Sequence, residues 1–250
     1  MRLLLSGSVL CLAGFAAALQ VDRPGAIPSR SLPPAAADAA RSQQPTALPL
    51  PSALSVARTP ALFARLDQAD REWIPRAIPL PGGRTRYVYK RRAGDPPLDV
   101  EQIKWLMRNP PSFATERRTI QLLLEQLQRV GAAVVLETPR KPGAAGEWEP
   151  RKARLRIRPD VPAKGTREFA RVLNHEAIHV AQSCRAGSPL SQPIPLGLSR
   201  DVTPQARQHL AAPLYAQAST RERTVEEEAY ANQDNLSIAW QMLQVHCRRR

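Results

Sequence analysis

The stretch His175-Glu176-Ala177-Ile178-His179 constrains this chain more than any other, because its chemistry works only on a helix. Residues four apart on an α-helix are offset by about 40° and one turn, so both imidazoles leave the same face. Two nitrogens on one face can hold a Zn²⁺ ion, and a glutamate beside the first histidine can take a proton from water at that ion. Histidine is scarce here, with four in 250 residues at positions 175, 179, 209 and 246, so chance seldom produces this spacing.

The flanking residues supply the helix. Across 166–184, Phe169, Leu173, Ala177, Val180, Ala181 and Cys184 form one apolar stripe at helical spacing. With Leu173 at 0°, the stripe stays within about 80°, whereas His175 and His179 fall at about 200° and 240°. One side of this helix therefore packs into a core while the histidines turn toward a cleft.

Elsewhere the pattern predicts a mixed α+β domain, a short sheet packed against the histidine helix and a C-terminal helix. Val100, Ile103, Leu106 and Met107 give 98–108 a helical period that ends at Asn109-Pro110-Pro111. A second helix starts after Ser112 as N-cap and runs to Val130, before Gly131. Residues 132–136 read as a strand and 139–150 as a loop. Residues 153–158 alternate strictly between apolar residues and arginine, the mark of a strand with one buried face. Its arginine face is predicted to meet solvent at a sheet edge. The Pro- and Gly-bearing stretch 186–199 is a loop, placed either to wall a cleft or as an inert excursion. A short helix covers 203–211. The last helix spans about 220–247, with a stripe of Val225, Ala229, Leu236, Ala239, Trp240 and Leu243.

The first 20 residues carry one positive charge, a short apolar run and small residues before a polar switch, as a secretory signal peptide does. That run is too short for a membrane span, so no stable span is expected after processing. Residues 21–60 are dominated by Pro, Ala, Ser and Arg and read as a disordered linker, leaving 61–250 as one domain. A net charge of +14 favours anionic partners such as an acidic envelope surface, or else a solvated basic exterior. Export argues against nucleic acid. Removal of the leader leaves Cys184 and Cys247, a pair suited to a disulfide.

A catalytic zinc takes three protein ligands and keeps one position open. A metzincin would place a third histidine at position 185 and a glycine at 182, but these are Arg185 and Gln182. The remaining candidates are His209, His246 and the run Glu226-Glu227-Glu228-Ala229-Tyr230. At this run the sequence resembles the gluzincins, the thermolysin-like clan whose third ligand is a glutamate on a downstream helix, followed in several branches by Ala three residues on. The resemblance covers about 153–241. It implies a zincin-like domain in which His175, His179 and Glu226 hold Zn²⁺, with Glu227 as the alternative if the register slips by one. The residue that would orient a ligand histidine in that family is replaced, so Tyr230 or Asn232 has to serve.

The resemblance further implies an exported zinc metallopeptidase acting on peptide or protein substrates, with Glu176 as general base and Tyr230, Tyr215 or His209 facing the developing oxyanion. Substrate would lie along the 153–158 strand, whose arginines would favour acidic segments. The competing expectation is a catalytically silent zincin-like domain that binds an anionic polymer. The cysteines test the assembly. Cys184 is about 7.5 Å along its helix from His179, while Cys247 is about 31 Å along a straight helix from Glu226. A disulfide needs Cα atoms within about 7 Å. Either the last helix breaks near Asp234-Asn235 or the cysteines stay apart, and the continuous apolar stripe speaks against a break.

Overall fold

The computed structural model describes residues 15–21 (backbone only), 53–91, 95–212 and 215–247. Most of the stretches read as leader and linker therefore lie outside the described residues. In chain order the elements are β1 (Phe15–Val21), β2 (Ala53–Leu54), α1 (Thr59–Arg71), β3 (Arg76–Pro79), β4 (Thr85–Arg91) and α2 (Val100–Arg108). There follow α3 (Ala114–Arg129), β5 (Ala133–Leu136), β6 (Gly146–Glu149), β7 (Arg154–Ile157), α4 (Thr166–Arg185), α5 (Pro204–Leu210), α6 (Thr220–Asn232) and α7 (Ile238–His246). The class is α+β, as expected. Among the described residues, no helix is long and apolar enough to cross a membrane.

The described chain forms two compact units. One takes residues 15–21 and 72–111. There β4 pairs antiparallel with β3 on one side and β1 on the other. The buried Tyr89 accepts a hydrogen bond from the Leu98 N–H at 3.0 Å, and α2 opens with a reciprocal cap between Asp99 and Gln102. The basic stretch 76–91 was assigned no element from the sequence, although Tyr87-Val88-Tyr89 after the turn residues Pro81-Gly82-Gly83 suits a hairpin strand.

The other unit, residues 53–71 and 112–247, holds the histidine helix. It starts ahead of residue 61, since β2 pairs with β5 and α1 begins at Thr59. Its sheet has the order β2-β5-β7-β6, with β5 and β7 parallel and the other pairs antiparallel. Leu155 and Ile157 of β7, Val134 and Leu136 of β5 and Trp148 of β6 pack with Phe169, Leu173 and Ala177 of α4. Leu123 and Leu127 of α3 join that core. Gly131, at φ 81°, lets the chain leave α3 and turn directly into β5.

Two expectations about the sheet are corrected. The 139–150 stretch is not all loop, because β6 emerges from it and takes the edge position beside β7. β7 is therefore interior, and of its arginines Arg156 is buried while Arg154 stays partly exposed. Arg156 is only 7% exposed and bonds Glu149 at 2.7 Å and Glu137 at 3.2 Å, while Arg154 reaches Glu137 at 3.5 Å. These carboxylates come from both neighbours, Glu147 and Glu149 of β6 and Glu137 just past the end of β5. Both arginines of β7 are thus engaged by carboxylates within the fold, which removes the basis for a preference for acidic substrates.

The start of α4 is capped from a distant element. Gly165 occupies the N-cap position with no side chain to offer, and Asp70 of α1 substitutes. Its two oxygens accept from the Thr166 N–H at 2.7 Å and the Thr166 hydroxyl at 2.6 Å. A carboxylate there also meets the positive end of the helix dipole.

The last helix does break, contrary to its apolar stripe. α6 ends at Asn232 and α7 begins at Ile238. The cause lies on α4: the Asn174 side-chain N–H group donates to the carbonyls of Gln233 at 2.9 Å, Asn235 at 3.1 Å and Asn232 at 3.4 Å. A buried amide thus satisfies carbonyls that continued helix would have used. The break brings α7 back along α4, and Cys184 and Cys247 form a disulfide with their Cα atoms 5.0 Å apart.

Candidate metal centre

α4 and α6 each contribute part of the site. α6 is launched by a reciprocal cap in which the Ser219 hydroxyl accepts from the Glu222 N–H while Glu222 accepts from the Ser219 N–H. Successive residues then point about 100° apart, which gives the three glutamates different surroundings. Glu226 faces α4, and its Oε2 lies 3.6 Å from His175 Nε2 and 3.5 Å from His179 Nε2. Glu227 turns outward, 3.8 Å from Arg200. Glu228 is almost fully buried and accepts from three successive loop N–H groups, those of Leu196, Gly197 and Leu198, at 2.6 to 3.1 Å. The register is thereby fixed on Glu226, and the 186–199 stretch is strapped to the site rather than inert.

His175, His179 and Glu226 form a buried group that could hold a metal ion, with their ligand atoms within 4.8 Å of one another. A tetrahedral ion with ligand bonds of about 2.0–2.1 Å separates its ligand atoms by about 3.4 Å. The spacings of 3.5 and 3.6 Å match that figure and are too long for good hydrogen bonds. The donor set therefore fits an ion. Burial opposes charge on Glu226, but the two imidazoles outweigh it and hold its carboxyl well below the usual range. The same attraction, against burial, raises the pKa of His179.

Glu176 lies beside the triad and is 5% exposed. Burial pushes its carboxyl pKa up, and the neighbouring imidazoles only partly offset this. The edge strand β6 comes so close that a Cβ added to Gly146 would sit 2.6 Å from Glu176 Cγ and Oε1. Only glycine allows that approach.

Tyr230 packs its ring against His175, with centroids 4.6 Å apart, and has Tyr215 as a neighbour. Burial raises the pKa of both tyrosines, and the charge of Glu226 adds to it. His209, exposed on α5, lies parallel to Tyr230 at 6.2 Å and is not part of the triad. His246 ends α7 beside Cys247, away from the triad, with its pKa lowered by burial and by Arg185. Of the two residues expected to orient a ligand histidine, Tyr230 meets His175 edge-on, whereas Asn232 does not reach one. Asn232 donates instead to the Ser199 and Glu228 carbonyls, and Gln182 meets His179 Nδ1 at 2.7 Å.

Three residues of the site escaped the sequence reading. Gln182 carried a signal, three residues after His179 on the same helix. Gly146 and Lys141 carried none. Lys141 Nζ lies 3.3 Å from Glu226 Oε1 and 5.8 Å from the centre of the Tyr215 ring, half-exposed at the mouth of the site. Comparisons with protein-family models, curated proteins and solved structures find no match to this chain.

Proposed function

We propose that the protein is a zinc metallopeptidase of the gluzincin kind, in which His175, His179 and Glu226 hold the ion and Glu176 moves the proton. The observation that carries this reading is the convergence of Glu226 on two imidazoles at tetrahedral spacing, with a buried carboxyl at the adjoining position. Two imidazoles and one carboxylate suit zinc with a fourth position open. When bound, zinc polarises the scissile carbonyl and acidifies the attacking water. Glu176 accepts that water's proton and delivers it to the leaving amine nitrogen. Its raised pKa suits a group that must hold a proton between two steps. Tyr230 keeps its hydroxyl proton across the neutral range and is the candidate donor to the developing oxyanion. A metal site with a structural role alone needs no base at position 176.

The substrate rail in this reading is β6 rather than β7. Among the described residues no strand pairs with its outer edge, and an extended peptide can add there by main-chain hydrogen bonds. Gly146 then sets the distance between that peptide and Glu176. Gly146→Ala is expected to lower kcat about 100-fold by displacing the carboxylate, with zinc content unchanged. Steady-state kinetics with parallel metal analysis measures this, and an unaltered kcat would remove Gly146 from the site. The Cys184–Cys247 bond supports export, because disulfides persist in oxidising compartments.

The whole reading is tested by zinc analysis of the purified protein and digestion of an unfolded protein substrate. Stoichiometric zinc is expected, with cleavage lost on chelation and restored by zinc. Protein without zinc, or cleavage indifferent to the chelator, would falsify it.

A further inference from the structure

Gln182 and Glu228 form a chain of fixed polarity that ends on a ligand histidine. Gln182 Nε2 lies 3.0 Å from the Val225 carbonyl oxygen and 3.0 Å from Glu228 Oε2. A carbonyl can only accept, and Glu228 is engaged as an acceptor by the N–H groups of Leu196 at 2.6 Å, Gly197 at 2.7 Å and Leu198 at 3.1 Å. The amide nitrogen of Gln182 must therefore face that side, which turns its Oε1 toward His179 Nδ1 at 2.7 Å. An amide oxygen has no proton to give, so Nδ1 carries one. The neutral ring then keeps its lone pair on Nε2, the atom aimed at Glu226.

We propose that Glu228 and Gln182 are positioning residues that fix the tautomer and ring orientation of His179, and that loop residues 196–198 set this relay by gripping Glu228. The inference rests on the metal reading above but not on peptide hydrolysis. His175 provides the contrast: its Nδ1 is buried without a hydrogen-bond partner among the described residues, so the relay acts on one ligand only. Outer hydrogen bonds of this kind are worth about 10- to 100-fold in metal affinity.

The test compares wild type with Gln182→Leu and Glu228→Gln. Zinc affinity, read by competition with a chromogenic chelator, is expected to fall about 10- to 100-fold in each, and no further in the double variant. In zinc-loaded, ¹⁵N-labelled wild type, the His179 Nδ1–H should exchange slowly with water and give its own ¹⁵N–¹H signal, lost in Gln182→Leu. A purely structural role would lower the melting temperature of the zinc-free variants while leaving zinc affinity and the Nδ1–H signal as in wild type, and that result overturns the proposal. So does the absence of the signal from wild type, which needs no variant to fold. Zinc binding with the relay intact but no cleavage of any substrate supports this inference while sinking the peptidase reading.

Discussion

Glu176→Gln should leave zinc bound and reduce peptide hydrolysis about 1000-fold. The substitution keeps the shape of a side chain that is 5% exposed and pressed against Gly146, so it opens no cavity and moves no backbone. It removes only the ability to accept and return a proton, a contribution worth about 10²–10⁴-fold in rate. The ligand atoms of His175, His179 and Glu226 are untouched. Because burial already disfavours the charged carboxylate, the neutral amide should fold at least as stably as wild type in the zinc-free state. Measuring kcat/KM, zinc content and melting temperature on one preparation separates these effects. Activity within tenfold of wild type, zinc being present, would mean that another group takes the proton.

Cys247→Ser should cost about 4 kcal/mol of stability, seen as a fall in melting temperature on the order of 10 °C. The bond closes a loop spanning 63 residues, and most of its effect lies in the unfolded chain that it restrains. That loop contains α5, α6 and α7, and so Glu226 as well as the core residues Ala239 and Leu243. The turn at 233–237 does not depend on the bond, because the Asn174 amide holds it independently. The variant should therefore bind zinc normally at room temperature and fail early on heating. Wild type treated with a reductant should melt with the variant. Equal midpoints for variant and oxidised wild type would show that α7 docks without help from the bond.

The sequence was most readable where function forces a local pattern. Two histidines four residues apart specify a helix and a face, and the apolar stripe of α4 specifies which side is core. Glu226 was visible only through the resemblance to the gluzincins, in which Ala follows the ligand glutamate three residues on, and that pattern left Glu227 open as the alternative. The reading failed where the deciding partner lay far away in the chain. The break after Asn232 is set by Asn174, 58 residues earlier, and apolar residues on both sides of it keep helical spacing, so the stripe appeared continuous. β6 went unseen because four residues among prolines and glycines carry too little pattern, yet it converts β7 from an edge strand into an interior one. Gln182 stood in plain view, but its meaning depends on Glu228, and that pairing exists only once α6 has packed on α4.

Asp70 reaches Thr166 across 96 residues, and this fixes what counts as the smallest working piece of the chain. The part that holds the triad is discontinuous, with α1 on one side of residues 72–111 and everything from α3 onward on the other. A fragment starting at Ser112 would keep all three ligands and the disulfide, yet it would lose the cap on α4 and the β2 neighbour of β5. The intervening residues are under a looser constraint. They belong to the other compact unit, with β3, β4 and α2, and supply neither a ligand of the triad nor the cap on α4. The molecule thus has a clamp whose two jaws lie far apart in the chain and must both be present.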